Sequence, residues 1–291
     1  LQAHDFVAWL EGLGDSVLVV GDAHTLKVHV HTDDPERALA LFEGAGEVSH
    51  LDVADMREQV AERDQRLAHA ANGNGHRAPA AAQACGVLAV ASGEGLCELF
   101  AGLGAHVLDG GPTLNPSTHE LLAGIHDVPA EQVVVLPNSA NVIMAAERAA
   151  ELSEKVVRVV AARSQQAGLA AALALDPAAG ADENAAHMMD ALEHVRTGGV
   201  APAAREDPSG RFAVGDAVGY VDDELVAWGE PAATLRTVVG SLADGAELLT
   251  LIRGAAAPLA DAHVAGLVPD GVELELSEGG QPSWWWLLAA E

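Results

Sequence analysis

Four short apolar runs follow one another in the middle of the chain, separated by helix-like segments rich in alanine and leucine. The runs span residues 86–91, 106–108, 132–136 and 156–161. Short apolar runs are typical of strands buried on both faces, and strands that alternate with helices favour a parallel sheet covered by helices on both sides. The pattern therefore predicts an α/β unit over residues 85–180.

The rhythm of apolar positions changes from about residue 181 onward. A helix, several short strands, two further helices and terminal strands are predicted there. Their clearest members are a helix over 182–195, a helix over 231–242, a strand over 247–252, a helix near 259–266 and strands that end at Trp284, Trp285 and Trp286. We interpret residues 181–291 as a second lobe.

A smaller α/β unit is predicted over residues 1–67. Its predicted elements are a helix near 6–13, strands over 16–20 and 25–31, a helix from Asp34 to about 43, a strand over 47–53 and a helix from Met56. Asp34 is the expected cap of its helix, with Pro35 in the first turn. Residues 68–84 lack periodicity and are rich in alanine, glycine, asparagine and proline, which predicts a linker.

The charge of the chain limits its partners. With 15 Lys and Arg against 43 Asp and Glu, the 291 residues carry a formal charge of −28, which repels phosphate backbones and argues against nucleic acid. The sequence shows neither the roughly 20 apolar residues of a membrane span nor a signal peptide, so we expect a cytoplasmic protein without stable membrane insertion. Cys85 and Cys97 are expected to be reduced. Because the chain opens at Leu1 directly into a helix-like run, we expect it to be part of a longer protein.

Two histidines alternate along the second predicted strand. His29 and His31 share one face, while Val28 and Val30 point to the other. Two imidazoles side by side make half of a zinc site, for which His24, Asp33 and His50 are candidate further ligands. Spacing alone also fits ordinary half-exposed strand residues, so both interpretations stay open here.

The loop after the second apolar run of the α/β unit is a candidate binding loop. Gly110 and Gly111 permit close backbone approach, and Asn115, Ser117 and Thr118 precede a predicted helix whose free amides favour an anion. Loops at the carboxyl ends of parallel strands are where α/β proteins bind ligands. Helix initiation alone explains the same residues, however, because Ser117 and Glu120 have the spacing of a capping box.

Two further loops are predicted at the same edge of the sheet. Asn138 and Asn141 follow the third apolar run. Their side-chain amides could point into a ligand-binding crevice at this edge of the sheet, or the two residues could simply lie at the start of a capped helix. Residues 92–95, Ser-Gly-Glu-Gly, follow the first run but complete neither a dinucleotide-binding fingerprint nor a P-loop. The fold would bring these loops together with the Gly110 loop.

Two sets of segments carry a family resemblance. The first set is Leu13 to Ser16, Val20 to Asp22, Lys27 to Thr32 and Asp55 to Gln59. The second set is Gly110 to Thr118, Leu136 to Asn138, Ala149 to Ser153, Thr197-Gly198 and Gly280 to Pro282. They resemble the middle domain and the C-terminal domain, respectively, of the A-type subunits of fatty acid kinase, whose members are also described as dihydroxyacetone-kinase-like. The resemblance covers nearly the whole chain apart from the linker.

The resemblance implies a role in a two-component kinase. In such a kinase the A-type component phosphorylates the carboxyl group of a fatty acid held by a DegV-like B-type component, and the acyl phosphate enters phospholipid synthesis. The family's C-terminal domain is a two-lobed, DegV-like fold that docks the B-type component, so we expect residues 85–291 to have this fold and role. ATP and Mg²⁺ are expected only through an N-terminal domain missing from this chain, which alone is expected to be inactive.

The family's middle domain mediates dimerisation and holds zinc. Its two metal-site histidines correspond to His29 and His31, and its remaining ligand is a cysteine upstream of the first helix, at a position this chain lacks. The resemblance therefore implies a homodimer with a zinc site that the upstream cysteine would complete.

Two other functions compete with the role in a kinase. One is a DegV-like module that binds a lipid or a small anion near Asn115, Ser117, Thr118 and Asn138, without catalysis. The other is a stand-alone metallohydrolase, which would need three protein ligands within this chain.

Overall fold

A computed structural model describes two compact units, residues 1–79 and 80–291. The residues it describes are 6, 9–10, 12–21, 26–32, 34–42 and 84–291. The predicted strand over 47–53, the predicted helix from Met56 and nearly all of the predicted linker lie outside these ranges.

The amino-terminal unit contains an antiparallel strand pair followed by a short helix. Strand β1 (Gly14–Gly21) pairs with β2 (Leu26–Thr32), and helix α1 spans Pro35–Ala40. The side chain of Asp34 accepts a hydrogen bond from Arg37 N at 3.1 Å, so Asp34 caps α1 as predicted, with Pro35 in the first turn. Phe6, Leu10 and Ala38 form the buried core of this unit.

The first lobe of the larger unit is built on a four-stranded parallel sheet in the order β4-β3-β5-β6. Its elements are β3 (Cys85–Ala91), α2 (Glu94–Gly102), β4 (His106–Asp109), α3 (Thr118–Asp127), β5 (Gln132–Leu136), α4 (Ile143–Leu152), β6 (Val156–Val159) and α5 (Gln165–Leu173). One face of the sheet packs against α3 and α4, and the other against α2 and α5. The four predicted runs are these four strands, and β3 is buried along its full length.

Helix α6 (Ala181–His194) also packs on this first sheet. The sequence pattern places it at the start of the second lobe, but Ala181, Ala185 and Met188 belong to the apolar core beneath β3 and β5. The apolar stripe of a helix shows that one face is buried but not which sheet buries it. The second lobe therefore begins at β7 (Arg196–Pro202).

The second lobe contains a six-stranded mixed sheet in the order β11-β10-β12-β7-β8-β9. Its remaining elements are β8 (Ala217–Val221), β9 (Glu224–Gly229), α7 (Pro231–Leu242), β10 (Leu248–Arg253), α8 (Asp261–Ala265), β11 (Glu273–Glu278) and β12 (Trp286–Ala290). Strand β10 is parallel to β11, and every other neighbouring pair is antiparallel. Helix α7 packs on this sheet through Leu235, Val238, Val239 and Leu242.

The two lobes are joined by direct packing. Leu96 on α2 contacts Ile252 and Leu287 of the second lobe in a buried apolar cluster. Main-chain atoms also meet here, since Leu96 N donates to Gly279 O at 3.0 Å. A Cβ added at Gly95 would overlap the main-chain oxygen of Glu278, so glycine at this position allows the lobes to approach closely. Within the described ranges, no helix is both long and apolar enough to cross a membrane.

Candidate functional site

A cavity of about 300 Å³ lies between the two lobes. All four strand ends of the first lobe contribute to it, because Ser92, Pro112, Asn138 and Arg163 follow β3, β4, β5 and β6 in turn. The second lobe closes it with residues 197–199, Tyr220, Asp223, 281–284 and Leu287. The crevice therefore lies at the carboxyl edge of the parallel sheet, where α/β folds bind ligands.

Asn138 supports the floor of this cavity. It is 1% exposed, and its backbone has a φ of 55°, a left-handed conformation that asparagine tolerates better than most residues. Its side-chain Nδ2 donates to Val90 O at 2.8 Å, which ties the loop after β5 to the neighbouring strand β3. The side chain lies against Gly168 on α5, where any Cβ would collide with it. Asn138 thus holds the loop in place as well as lining the crevice.

Two consecutive glutamines at the start of α5 connect the cavity walls. Gln165 Oε1 accepts a hydrogen bond from Ser92 N at 2.7 Å, and Gln166 Nε2 donates to Gly198 O at 3.0 Å. The second bond crosses from the first lobe to the second. Both side chains are 5% exposed. No motif marks this pair in the sequence, and only its position after the fourth apolar run indicates that it lies at this edge of the sheet.

Polar contacts also bridge the lobes beside the cavity. Arg163 Nε donates to Asp223 Oδ2 at 3.0 Å, and Ser283 Oγ donates to Pro112 O at 3.0 Å. The Arg163 and Asp223 side chains are 62% and 70% exposed, so water screens their attraction. The buried glutamine bridge and the apolar cluster around Leu96 therefore contribute more to lobe packing than this ion pair.

The predicted Gly110 loop is organised mainly to begin helix α3. Ser117 N and Ser117 Oγ donate to Glu120 Oε2 at 2.8 and 2.9 Å, and Glu120 N donates to Ser117 Oγ at 3.3 Å, which completes a capping box. Residues 112–114 of this loop line the cavity, whereas Gly110, Gly111, Asn115, Ser117 and Thr118 do not. In the predicted loop after the third apolar run, both Asn138 and Asn141 line the cavity.

Cys97, on helix α2, is poorly suited to act as a nucleophile. Burial, together with the nearby carboxylates of Asp109, Glu94 and Glu98, raises the pKa of the Cys97 thiol to about 11. A thiol must lose its proton to react, so Cys97 is protonated at neutral pH.

The predicted metal pair lies on β2 of the amino-terminal unit. In the pairing of β2 with β1, His31 lies opposite Asp15 and His29 lies opposite Leu18. The register of the two strands shifts between Asp15 and Leu18. Positions 29 and 31 are two residues apart on a strand and therefore share a face. The predicted further ligands His24, Asp33 and His50 lie outside the described residues. Across the described ranges, no three metal-ligating side chains come together.

The two-lobed unit has a fold already known from solved structures. A DegV family protein from Corynebacterium glutamicum superposes with a TM-score of 0.51 at 15% identity, over 72% of this chain and 98% of that one. A DegV family protein from Eubacterium eligens, solved loaded with heptadecanoic acid, gives 0.50 at 13% identity, over 72% and 99%. The native dihydroxyacetone kinase of C. freundii gives 0.51 at 12% identity, over 84% and 57%. The class is thus an α/β fold with DegV-like neighbours, which confirms the predicted fold class.

Sequence comparison identifies the family. The FakA-like family model for the middle domain of fatty acid kinase matches residues 1–63, and the FakA-like model for its C-terminal domain matches residues 86–291. Protein YloV of Bacillus subtilis is 31% identical over 97% of this chain, and an uncharacterized protein of Staphylococcus aureus strain MRSA252 is 33% identical over 96%. The chain belongs to the FakA-like family of fatty acid kinase proteins, as the sequence motifs indicate. It spans about half the length of these relatives, 52% in each case.

Proposed function

We propose that this chain forms part of a two-component fatty acid kinase, supplying its metal-bearing middle domain and its partner-docking domain. The observation that carries the proposal is the match of both family domains, in order, over residues 1–63 and 86–291. The substrate would be a fatty acid presented by a DegV-like B-type component, and ATP and Mg²⁺ would be held by a further domain of the longer protein.

The proposed phosphoryl transfer indicates what each domain would contribute. A carboxylate oxygen of the fatty acid attacks the γ-phosphorus of ATP, the bond to ADP breaks, and an acyl phosphate forms. Such a transfer depends on alignment of the two reactants and on neutralisation of their charge. The two-lobed unit would contribute alignment, because its lobes are held together by the Gln166 bridge and the Leu96 cluster.

The middle domain would contribute the metal, held by His29 and His31. Imidazole is a preferred zinc ligand, and the two positions share a face of β2, so the donor set fits. A cysteine upstream, implied by the family, would complete the protein ligands. When bound, zinc would polarise or position the carboxylate. The two histidines would hold the zinc ion. We also propose that the middle domain mediates dimerisation.

The test replaces both histidines in the full-length protein, assayed with ATP and a fatty-acid-loaded B-type component. His29→Ala together with His31→Ala should remove bound zinc, measured by mass spectrometry of the metal, and abolish acyl phosphate formation. His187→Ala, an exposed histidine on α6, is the matched control and should change neither. Full zinc content and activity in the double variant would refute the metal assignment.

A lipid-binding module without catalysis is the competing function, favoured by the cavity between the lobes and by the DegV-like fold. The packing beside the cavity argues against it, because Leu96, Ile252 and Leu287 fill the apolar space between the lobes with the chain's own side chains. Mass spectrometry of fatty acid extracted from the purified chain separates the two: stoichiometric co-purified lipid would support the module.

A further inference from the structure

One face of the β1–β2 strand pair is used by the core of the amino-terminal unit. Val28 and Val30 on β2 pack against the buried cluster of this unit. Successive residues of a strand lie on opposite faces, so His29 and His31 belong to the other face of the pair. The residues of β1 that share this second face are therefore the neighbours of the two proposed zinc ligands.

The register shift in β1 decides which residues these are. Asp15 lies opposite His31 and Leu18 lies opposite His29, so three steps along β1 correspond to two steps along β2. Residues 16 and 17 therefore share the place opposite a single residue of β2, which is the arrangement of a β-bulge. Residues directly opposite each other in an antiparallel pair lie on the same face, so Asp15 and Leu18 both lie on the face of the histidines. Strict alternation along β1 would have put them on opposite faces.

The two histidines consequently have different neighbours across the strand pair. Directly opposite residues in an antiparallel pair have Cβ atoms about 4.5–5.5 Å apart, which an aspartate and a histidine side chain can span with a hydrogen bond. His31 has an aspartate in this position, whereas His29 has the apolar Leu18. Aspartate is depleted in strands, so its place within β1 favours a specific role for the carboxylate.

A histidine that binds zinc needs a neighbour of this kind. A neutral imidazole has one N–H group and one nitrogen with a free lone pair, and the metal takes the lone pair. The remaining N–H group requires an acceptor, which in zinc proteins is often a carboxylate that fixes the orientation of the ring and raises its basicity. A carboxylate opposite one of the two histidines suits this supporting role.

We propose that Asp15 is a positioning residue of the zinc site, whose carboxylate accepts a hydrogen bond from the ring nitrogen of His31 that does not bind the metal. The inference rests on the proposed function, because it takes His29 and His31 as the zinc ligands. Leu18 offers no acceptor to His29, so the two ligands differ in their support from β1.

The zinc affinity of the full-length protein, measured by competition with a chelator, tests this role. Asp15→Asn keeps the size of the side chain but removes the carboxylate, and it should weaken zinc binding about 10–100-fold. Asp15→Glu restores a carboxylate and should bind zinc at least about three-fold more tightly than Asp15→Asn. Glu36→Gln, which removes one charge from an exposed position on α1, is the matched control and should leave the affinity unchanged. Zinc binding by Asp15→Asn within about two-fold of the wild type would overturn the proposal.

Cobalt substitution separates positioning from direct coordination. The visible absorption bands of bound Co²⁺ depend on the number and type of its ligands, so Asp15→Asn saturated with Co²⁺ should keep the bands of the wild type. Altered bands would mean that Asp15 itself binds the metal, which contradicts a positioning role. If circular dichroism shows that Asp15→Asn does not fold, Asp15→Val, whose side chain favours strands and offers no acceptor, is judged by the same criteria.

This inference and the metal assignment fail in different ways. If the wild type binds zinc, the double histidine variant loses it and Asp15→Asn binds it like the wild type, only the role of Asp15 is refuted. If the wild-type protein binds no zinc, the assignment of His29 and His31 fails, and the role of Asp15 fails with it.

Discussion

Individual side chains that follow the strands of the first lobe both stabilise the fold and line the cavity between the lobes. Asn138 lines the crevice, but its NH₂ group is bound to Val90 O, and its oxygen has no hydrogen-bond partner among the residues that the structure describes. Position after a strand predicts where a residue lies and not which of its atoms is free. Gln165 and Gln166 were missed because no motif marks them, while Ser117 and Glu120 carry a recognisable spacing and form the expected capping box.

At this scale, Cys97 should be almost inert to alkylation in the folded protein. Its pKa of about 11, against an ordinary value of 9.0, leaves roughly 100-fold less thiolate at pH 8. In a Cys85→Ser background, iodoacetamide should modify native Cys97 at least about 100-fold more slowly than the urea-unfolded chain, with the native rate rising towards pH 11. Native and unfolded rates within ten-fold of each other would contradict the shift.

The sequence predicts some helices and strands, and their packing, more completely than others. The four parallel strands follow from buried apolar runs, and the turn that joins β8 to β9 has positive φ at both Asp222 and Asp223, 49° and 69°. Helix α6 was assigned to the wrong lobe because its pattern shows a buried face without the identity of the sheet beneath. The cavity itself arises from long-range packing, which local patterns do not encode.

Lys155 binds the main-chain carbonyls at the carboxyl-terminal end of helix α3. Lys155 Nζ donates to the carbonyl oxygens of Ile125, His126 and Val128 at 2.9, 2.8 and 2.6 Å. Lys155→Met keeps an unbranched side chain of similar bulk but leaves these acceptors without the ammonium, so we expect a loss of about 1–3 kcal/mol in the free energy of unfolding.

The matched control for this change is Arg148→Met on α4, whose ion pair with Glu151 is exposed. It should alter stability by no more than about 0.5 kcal/mol. Urea unfolding followed by circular dichroism measures both variants, and equal effects would show that the lysine does not stabilise the helix end.

For the whole molecule, close approach of the lobes depends on a small residue on α2. Gly95→Ala would place a methyl group on the Glu278 carbonyl and force the lobes apart, at a cost of about 1–3 kcal/mol. Gly102→Ala, at the other end of the same helix, meets no atom within 4 Å and should be neutral or stabilising by up to about 1 kcal/mol.

Thermal unfolding of the two glycine variants compares them directly. A melting temperature of Gly95→Ala at or above that of Gly102→Ala would mean that the lobe contact tolerates the added methyl group. The sequence gives no sign of this difference, because it depends on what the distant second lobe places beside each glycine.

The order of strands in the second sheet has a consequence for biosynthesis. Strand β12 lies between β10 and β7, so residues 286–290 occupy the interior of the sheet, while all four strands of the first lobe precede residue 160. On the ribosome, the nascent chain can complete the first lobe early, yet β7 and β10 stay unjoined until residues 286–290 have left the exit tunnel.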